Sequence, residues 1–208
     1  MQIEVISVVK LIGTENELIR LRKYVTSPGV GFSFNNVLAP PEELVNMNVD
    51  KVLTTQEEIN LMSVYGVGYL SDWKMINWGT QFTTVSVSWF SNSYVKLSTV
   101  NTPPLGIFHK LTLDFDIKLH VLYTDNHTTG IVFYDKGKGI EKKITGYEAE
   151  VVYYLTEDPT FTYKRWIAIN KDISKAKKCD MELLFNHDTE YLTLAKSIID
   201  QKSEPIPI

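Results

Sequence analysis

Apolar positions along the chain predict its elements one after another. Ile3 to Ile12 is a nearly continuous β-branched run, the composition of a strand buried on both faces. Thr14-Glu15-Asn16-Glu17 follows as a capping box. Leu18, Leu21 and Val25 recur behind it at helical spacing, and Ser27-Pro28-Gly29 ends that helix. Phe32 to Asn36 is short and aromatic. Pro40-Pro41-Glu42-Glu43-Leu44 predicts a short helix begun at proline, where a missing amide hydrogen costs nothing. Thr54 to Glu58 holds two overlapping capping boxes. Ile59, Met62 and Tyr65 are the expected buried stripe of that helix, and Gly66 and Gly68 its end.

The period then changes to two. Val85, Val87 and Trp89 alternate with serines. Val95, Leu97 and Thr99 alternate with Lys96 and Ser98, and Ser91-Asn92-Ser93 reads as a hairpin turn between the runs. Asn101-Thr102-Pro103-Pro104 caps and starts a helix carrying Ile107, Phe108 and Leu111. Ile117, Leu119, Val121 and Tyr123 form the next strand. The resulting order, β-α-insert-β-β-α-β, is that of the split βαβ unit. The expected fold is α+β: a ferredoxin-like antiparallel sheet with an insertion after the first helix, at about residues 30–72. A further hairpin is expected around Asp135 to Gly139, from Gly130–Tyr134 and Lys142–Thr145. Residues 1–146 then form one domain. Residues 147–208 are a C-terminal α/β extension, with a strand over Ala149–Thr156 and a helix whose stripe is Tyr191, Leu194, Ala195 and Ile198.

Composition agrees with a folded chain. Of 208 residues, 44% are hydrophobic, 12% aromatic and 22% charged, enough to build a core without disulfides. A net charge of −4 is no electrostatic footprint for nucleic acid. The lone cysteine, Cys179, rules out an intrachain disulfide and fits a reducing cytosol. The start carries no secretory pattern, and no apolar run approaches membrane-spanning length. The expectation is a cytoplasmic protein without a membrane partner.

Two stretches carry a resemblance. Phe32-Ser33-Phe34-Asn35-Asn36-Val37-Leu38-Ala39-Pro40-Pro41-Glu42-Glu43-Leu44 and Asp72-Trp73-Lys74-Met75-Ile76-Asn77-Trp78-Gly79-Thr80 resemble an uncharacterised family of phage- and plasmid-encoded proteins, the Api-like phage proteins, which have a ferredoxin-like domain. Pro103-Pro104 matches the proline pair that opens the family's second helix. The resemblance covers roughly residues 1–135. Gln81-Phe82 stands where the family usually has Lys-Trp. The resemblance implies a phage or mobile-element accessory protein acting in a bacterial host cytoplasm.

Candidate chemistry is sparse. Trp73, Lys74, Asn77 and Trp78 read in two ways: as a platform on which a flat ligand stacks, or as core with backbone-bonding polar groups and a left-handed Gly79. The second reading is the commoner fate of tryptophans that precede a strand. Lys136 and Lys138 either grip a phosphate or decorate a hairpin turn, since the spacing is not that of a P-loop. His109, His120, His127 and His187 are scattered, and no metal set emerges. Asp114 and Asp116 flank a helix-to-strand junction. Cys179 has no identifiable base. Lys171 and Lys175 to Lys178 read as the wet face of a helix. No cofactor is expected.

Three functions follow as expectations. The first is a non-enzymatic accessory protein that binds and inhibits a host defence component. The second is a sponge for a nucleotide second messenger, held by Trp73, Lys74, Asn77 and Trp78. The third is an enzyme on nucleotides or nucleic acid, using Asp114, Asp116 or His120. A homo-oligomer formed through a sheet edge or open face is compatible with any of them.

Overall fold

The computed structural model describes residues 2–46, 53–124 and 129–144. The chain opens with β1 (Glu4–Ile12) and α1 (Glu15–Val25). Four helices follow before the next strand: α2 (Phe34–Val37), α3 (Glu42–Val45), α4 (Thr55–Tyr65) and α5 (Leu70–Trp78). Then come β2 (Ser86–Ser91), β3 (Tyr94–Val100), α6 (Leu105–Asp114), β4 (Lys118–Thr124), β5 (Thr129–Asp135) and β6 (Lys138–Ile144). The six strands form one sheet in the order β2-β3-β1-β4-β5-β6, with every neighbouring pair antiparallel. The fold is therefore α+β. β3 lies between β1 and β2, and β1 between β3 and β4.

Local chemistry explains the boundaries. Thr14 accepts the Glu17 amide at 3.3 Å, but the Glu17 carboxylate turns to Arg20 at 3.1 Å, so only half of the expected capping box forms. At α4 the box is complete: Thr54 accepts the Glu57 amide, and Glu57 accepts the Thr54 amide at 2.9 Å. The β5–β6 turn is tighter than the expected loop. Only Lys136 and Gly137 lie outside the strands, both at positive φ, as a two-residue hairpin requires, and Lys138 already belongs to β6.

On the helix side of the sheet the core is an apolar cluster. Val5, Val9 and Leu11 of β1, Val95 and Leu97 of β3, Leu119 and Val121 of β4 and Val132 of β5 meet Leu18, Leu21 and Val25 of α1 and Ile107, Phe108 and Leu111 of α6. Phe32, Phe34, Val37, Leu44, Trp73 and Trp78 extend it beneath the inserted helices. Strand parity puts Val8, Leu122, Ile131 and Phe133 on the opposite face of the sheet. They too are buried, outside that cluster.

Two expectations change. The insertion does not end at about residue 72, because Leu70–Trp78 is a helix, so the inserted helices run on to the Trp78 turn. In α4 the expected stripe is rotated. Leu61 and Tyr65 pack against the core, while Ile59 and Met62 face solvent, 55% and 51% exposed. The strand over 149–156, the helix around 191–198 and the whole extension from 147 lie outside the described residues. So do Cys179, His127, His187 and the lysines from Lys171 to Lys178.

Candidate functional site

Within the Trp73–Phe82 segment both tryptophans are built into the core. Trp78 is fully buried and Trp73 is 8% exposed. Their rings meet edge to face, with centroids 6.3 Å apart, and Phe34 meets Trp78 in the same way at 5.5 Å. The Trp78 indole N–H donates to the Leu38 carbonyl at 2.8 Å, which ties the loop after α2 to α5. Gly79 takes φ +83° as the left-handed cap of α5. The Asn77 amide donates to the Trp73 carbonyl at 2.9 Å, and the Thr80 hydroxyl to the Val100 carbonyl at 3.2 Å. Neither indole offers an open face for a base. Stacking a flat ligand there would displace core aromatics. Lys74 holds its ammonium 5.0 Å from the Trp78 ring centre, and burial lowers its pKa below the ordinary lysine value.

The same tightness fixes α5 against α6. A Cβ on Gly106 would stand 2.2 Å from the Asn77 carbonyl oxygen, so the start of α6 touches the end of α5 backbone to backbone. The polar residues that follow Phe32 are also structural. Ser33 caps α2, and the Asn36 amide donates to the Tyr24 carbonyl at 2.8 Å and to the Ser27 hydroxyl at 2.9 Å.

The lysine turn is docked on α6. The Gly137 amide donates to the Thr112 hydroxyl at 3.2 Å, and its carbonyl oxygen lies 2.7 Å from His109 Nε2. That amide is committed and does not cradle a phosphate. Lys136 and Lys138 instead rim a recess of about 400 Å³, shared with Phe133, Asp135 and Ile140. Asp135 pairs with Lys118 at 2.8 Å. The recess holds two cations beside one already paired carboxylate.

The groups named for catalysis are not brought together. Asp114 ends α6 in a pair with Lys110. Asp116 is exposed in the connection to β4. His120 is buried in β4, opposite Phe133, on the sheet face away from α1 and α6. Among the described residues no three His, Cys, Asp or Glu side chains converge to hold a metal ion. No helix among them is long and apolar enough to cross a membrane.

Two surface features escaped the sequence reading. One is the outer face of α4, a helix with no fully buried residue, which presents Ile59 and Met62 one turn apart. The other is a groove of about 370 Å³ between the loop from Gly29 to Asn35 and the chain entering β2, Thr83 to Val87. Its only trace in the sequence is the glycine pair: Gly29 turns the loop at φ +75°, and Gly31 lets it lie against Val87.

No family model matches the sequence, and no curated protein matches it. Among solved structures, the crystal structure of the protein Api92 from Yersinia pseudotuberculosis, of the DUF1281 family, is a weak neighbour. It is 16% identical, with a TM-score of 0.30, over 39% of this chain and 32% of that one. The similarity thus spans about a third of that protein's length.

Proposed function

We propose that this chain is a non-enzymatic accessory protein of the phage type, which acts in a bacterial host cytoplasm by docking on a host protein and blocking it. The observation that carries the docking part is α4. An amphipathic helix ordinarily spends its apolar residues on the core, yet here Ile59 and Met62 stand on the solvent side. Methionine beside isoleucine suits an adaptable apolar contact. The phage origin rests on the resemblance carried by Phe32–Leu44 and Asp72–Thr80, and the choice of a host defence protein as target follows from that origin. The interleaving of β1 to β4 supports reading residues 1–146 as a ferredoxin-like domain that presents the inserted helices.

The test uses the full chain immobilised against host lysate. A discrete host protein is retained. I59K/M62K loses it while keeping the parent's circular dichroism and melting temperature. Empty capture, or equal capture by the variant, overturns the reading.

The recess beside Lys136 and Lys138 favours a second reading, capture of an anionic nucleotide. Calorimetry with cyclic nucleotides would show heat that K136A/K138A removes. A flat titration excludes it.

A further inference from the structure

We infer that the outer edge of β2, which no other strand covers among the described residues, is a self-association surface, through which two copies of this chain pair strand to strand about a two-fold axis. The described sheet has two edges, β2 and β6, and they differ in kind. β6 carries Lys138, Glu141, Lys142 and Lys143 among its seven residues. Charge along a strand is how natural sheets keep an edge from pairing, since a strand laid beside it would have to desolvate the exposed Lys138 and Lys143. β2 reads Ser-Val-Ser-Trp-Phe-Ser, and no charged residue lies between Lys74 and Lys96. It also lacks proline. Its one irregularity, a register shift between Trp89 and Ser91, sits at the far end and leaves Ser86 to Trp89 regular.

The strand is exposed yet held in shape. Ser86, Ser88 and Phe90 are exposed on one face. On the other, the Trp89 indole donates to the Gly31 carbonyl at 3.0 Å and carries the Arg22 guanidinium 5.1 Å from its ring centre. Just before the strand, the Thr84 hydroxyl donates to the Phe32 carbonyl at 3.2 Å. The edge is therefore ordered from within before any partner arrives, which lowers the entropy cost of adding a strand. Among the described residues no backbone hydrogen bond reaches its outer side.

A second copy is the occupant that fits. An uncharged strand meets itself without repulsion, whereas the lysine-guarded β6 edge disfavours the head-to-tail β2-to-β6 contact that would grow open fibres. Antiparallel pairing of β2 with its copy closes the assembly at two. It covers Phe90 and the adjoining Val85, which are 51% and 61% exposed. This inference is independent of the docking face on α4.

Light scattering and sedimentation equilibrium of the full chain test it, from low micromolar to several hundred micromolar. The mass rises about two-fold, from monomer to dimer, and stops there. Amide exchange at residues 86–91 slows as concentration rises, a readout that needs no variant. S88K/F90K, at two exposed positions, stays monomeric throughout with unchanged circular dichroism. I59K/M62K dimerises like the parent. A parent chain that remains monomeric overturns the inference. So does a dimer that survives S88K/F90K, or one that leaves exchange at 86–91 unchanged.

Discussion

Trp78 is a single side chain on which two parts of the molecule depend. Its ring fills the space between Phe34 and Trp73, and its N–H satisfies the Leu38 carbonyl. Trp78→Ala leaves a large cavity and should cost about 3–5 kcal/mol in denaturant unfolding. Trp78→Phe keeps a ring but strands the carbonyl and should cost about 1–3 kcal/mol. A cost near zero for either would mean that the ring is not core. Tyrosines set the alkaline limit. Burial raises the Tyr94 phenol to about 12 from an ordinary value near 10. Tyr134 is raised in the same direction, by burial and by Glu141. A raised folded pKa means that the folded state holds its proton longer. The stabilisation is fully present below pH ~10 and is lost as pH climbs through the folded values. Melting temperature should fall steeply above pH ~10, and Tyr94→Phe should flatten that fall.

At the scale of elements, the decisive contact is between α5 and α6. Gly106 lets the first turn of α6 rest on the last carbonyls of α5. Gly106→Ala improves helix propensity, worth about 1 kcal/mol on its own. Here, however, it drives a methyl into the Asn77 carbonyl. The net effect should be destabilising, with a lower melting temperature, and the opposite sign would show that the two helices can part. This contact also explains why α5 escapes the sequence. Tyr69 caps it without a side-chain bond, and its apolar residues follow no helical stripe, since Trp73 and Trp78 are buried while Ile76 is 69% exposed. Its helicity is imposed by packing, not announced by period. α4 shows the converse. Its ends are legible, because the Thr54–Glu57 box is a local event. Its faces are not, because nothing in the sequence distinguishes an apolar residue that packs inward from one held outward.

Across the whole molecule, the sheet was the most legible part. Alternation marked β2 and β3, and Pro103-Pro104 marked the start of α6. Candidate residues were less legible, for a physical reason. Trp73, Trp78 and Asn77 look like ligand groups in a sequence because aromatic and amide side chains serve cores and sites alike, and only burial separates the two uses. Lys136 stands in the β5–β6 turn and Lys138 opens β6 beside it. The commitment of the Gly137 amide to Thr112, however, is a contact across 25 residues that no local pattern encodes. The exposed faces of α4 and β2 were invisible for the same reason, being defined by what does not cover them.

The central position of β1 has a consequence for the birth of the molecule. Its neighbours are β3 and β4, and its pairing with β4 runs from Ile12 opposite Lys118 to Ile6 opposite Thr124. β1, the most apolar of the described strands, is synthesised before both of its neighbours. At about 5–20 residues per second, it waits roughly ten seconds before its second neighbour emerges from the ribosome. The intervening helices can form meanwhile, since their contacts are short-range. Until β3 emerges the strand has no partner, and until β4 emerges it has one of its two. The nascent chain is thus exposed to a chaperone or a protease in that interval, before β4 closes the sheet beside β1.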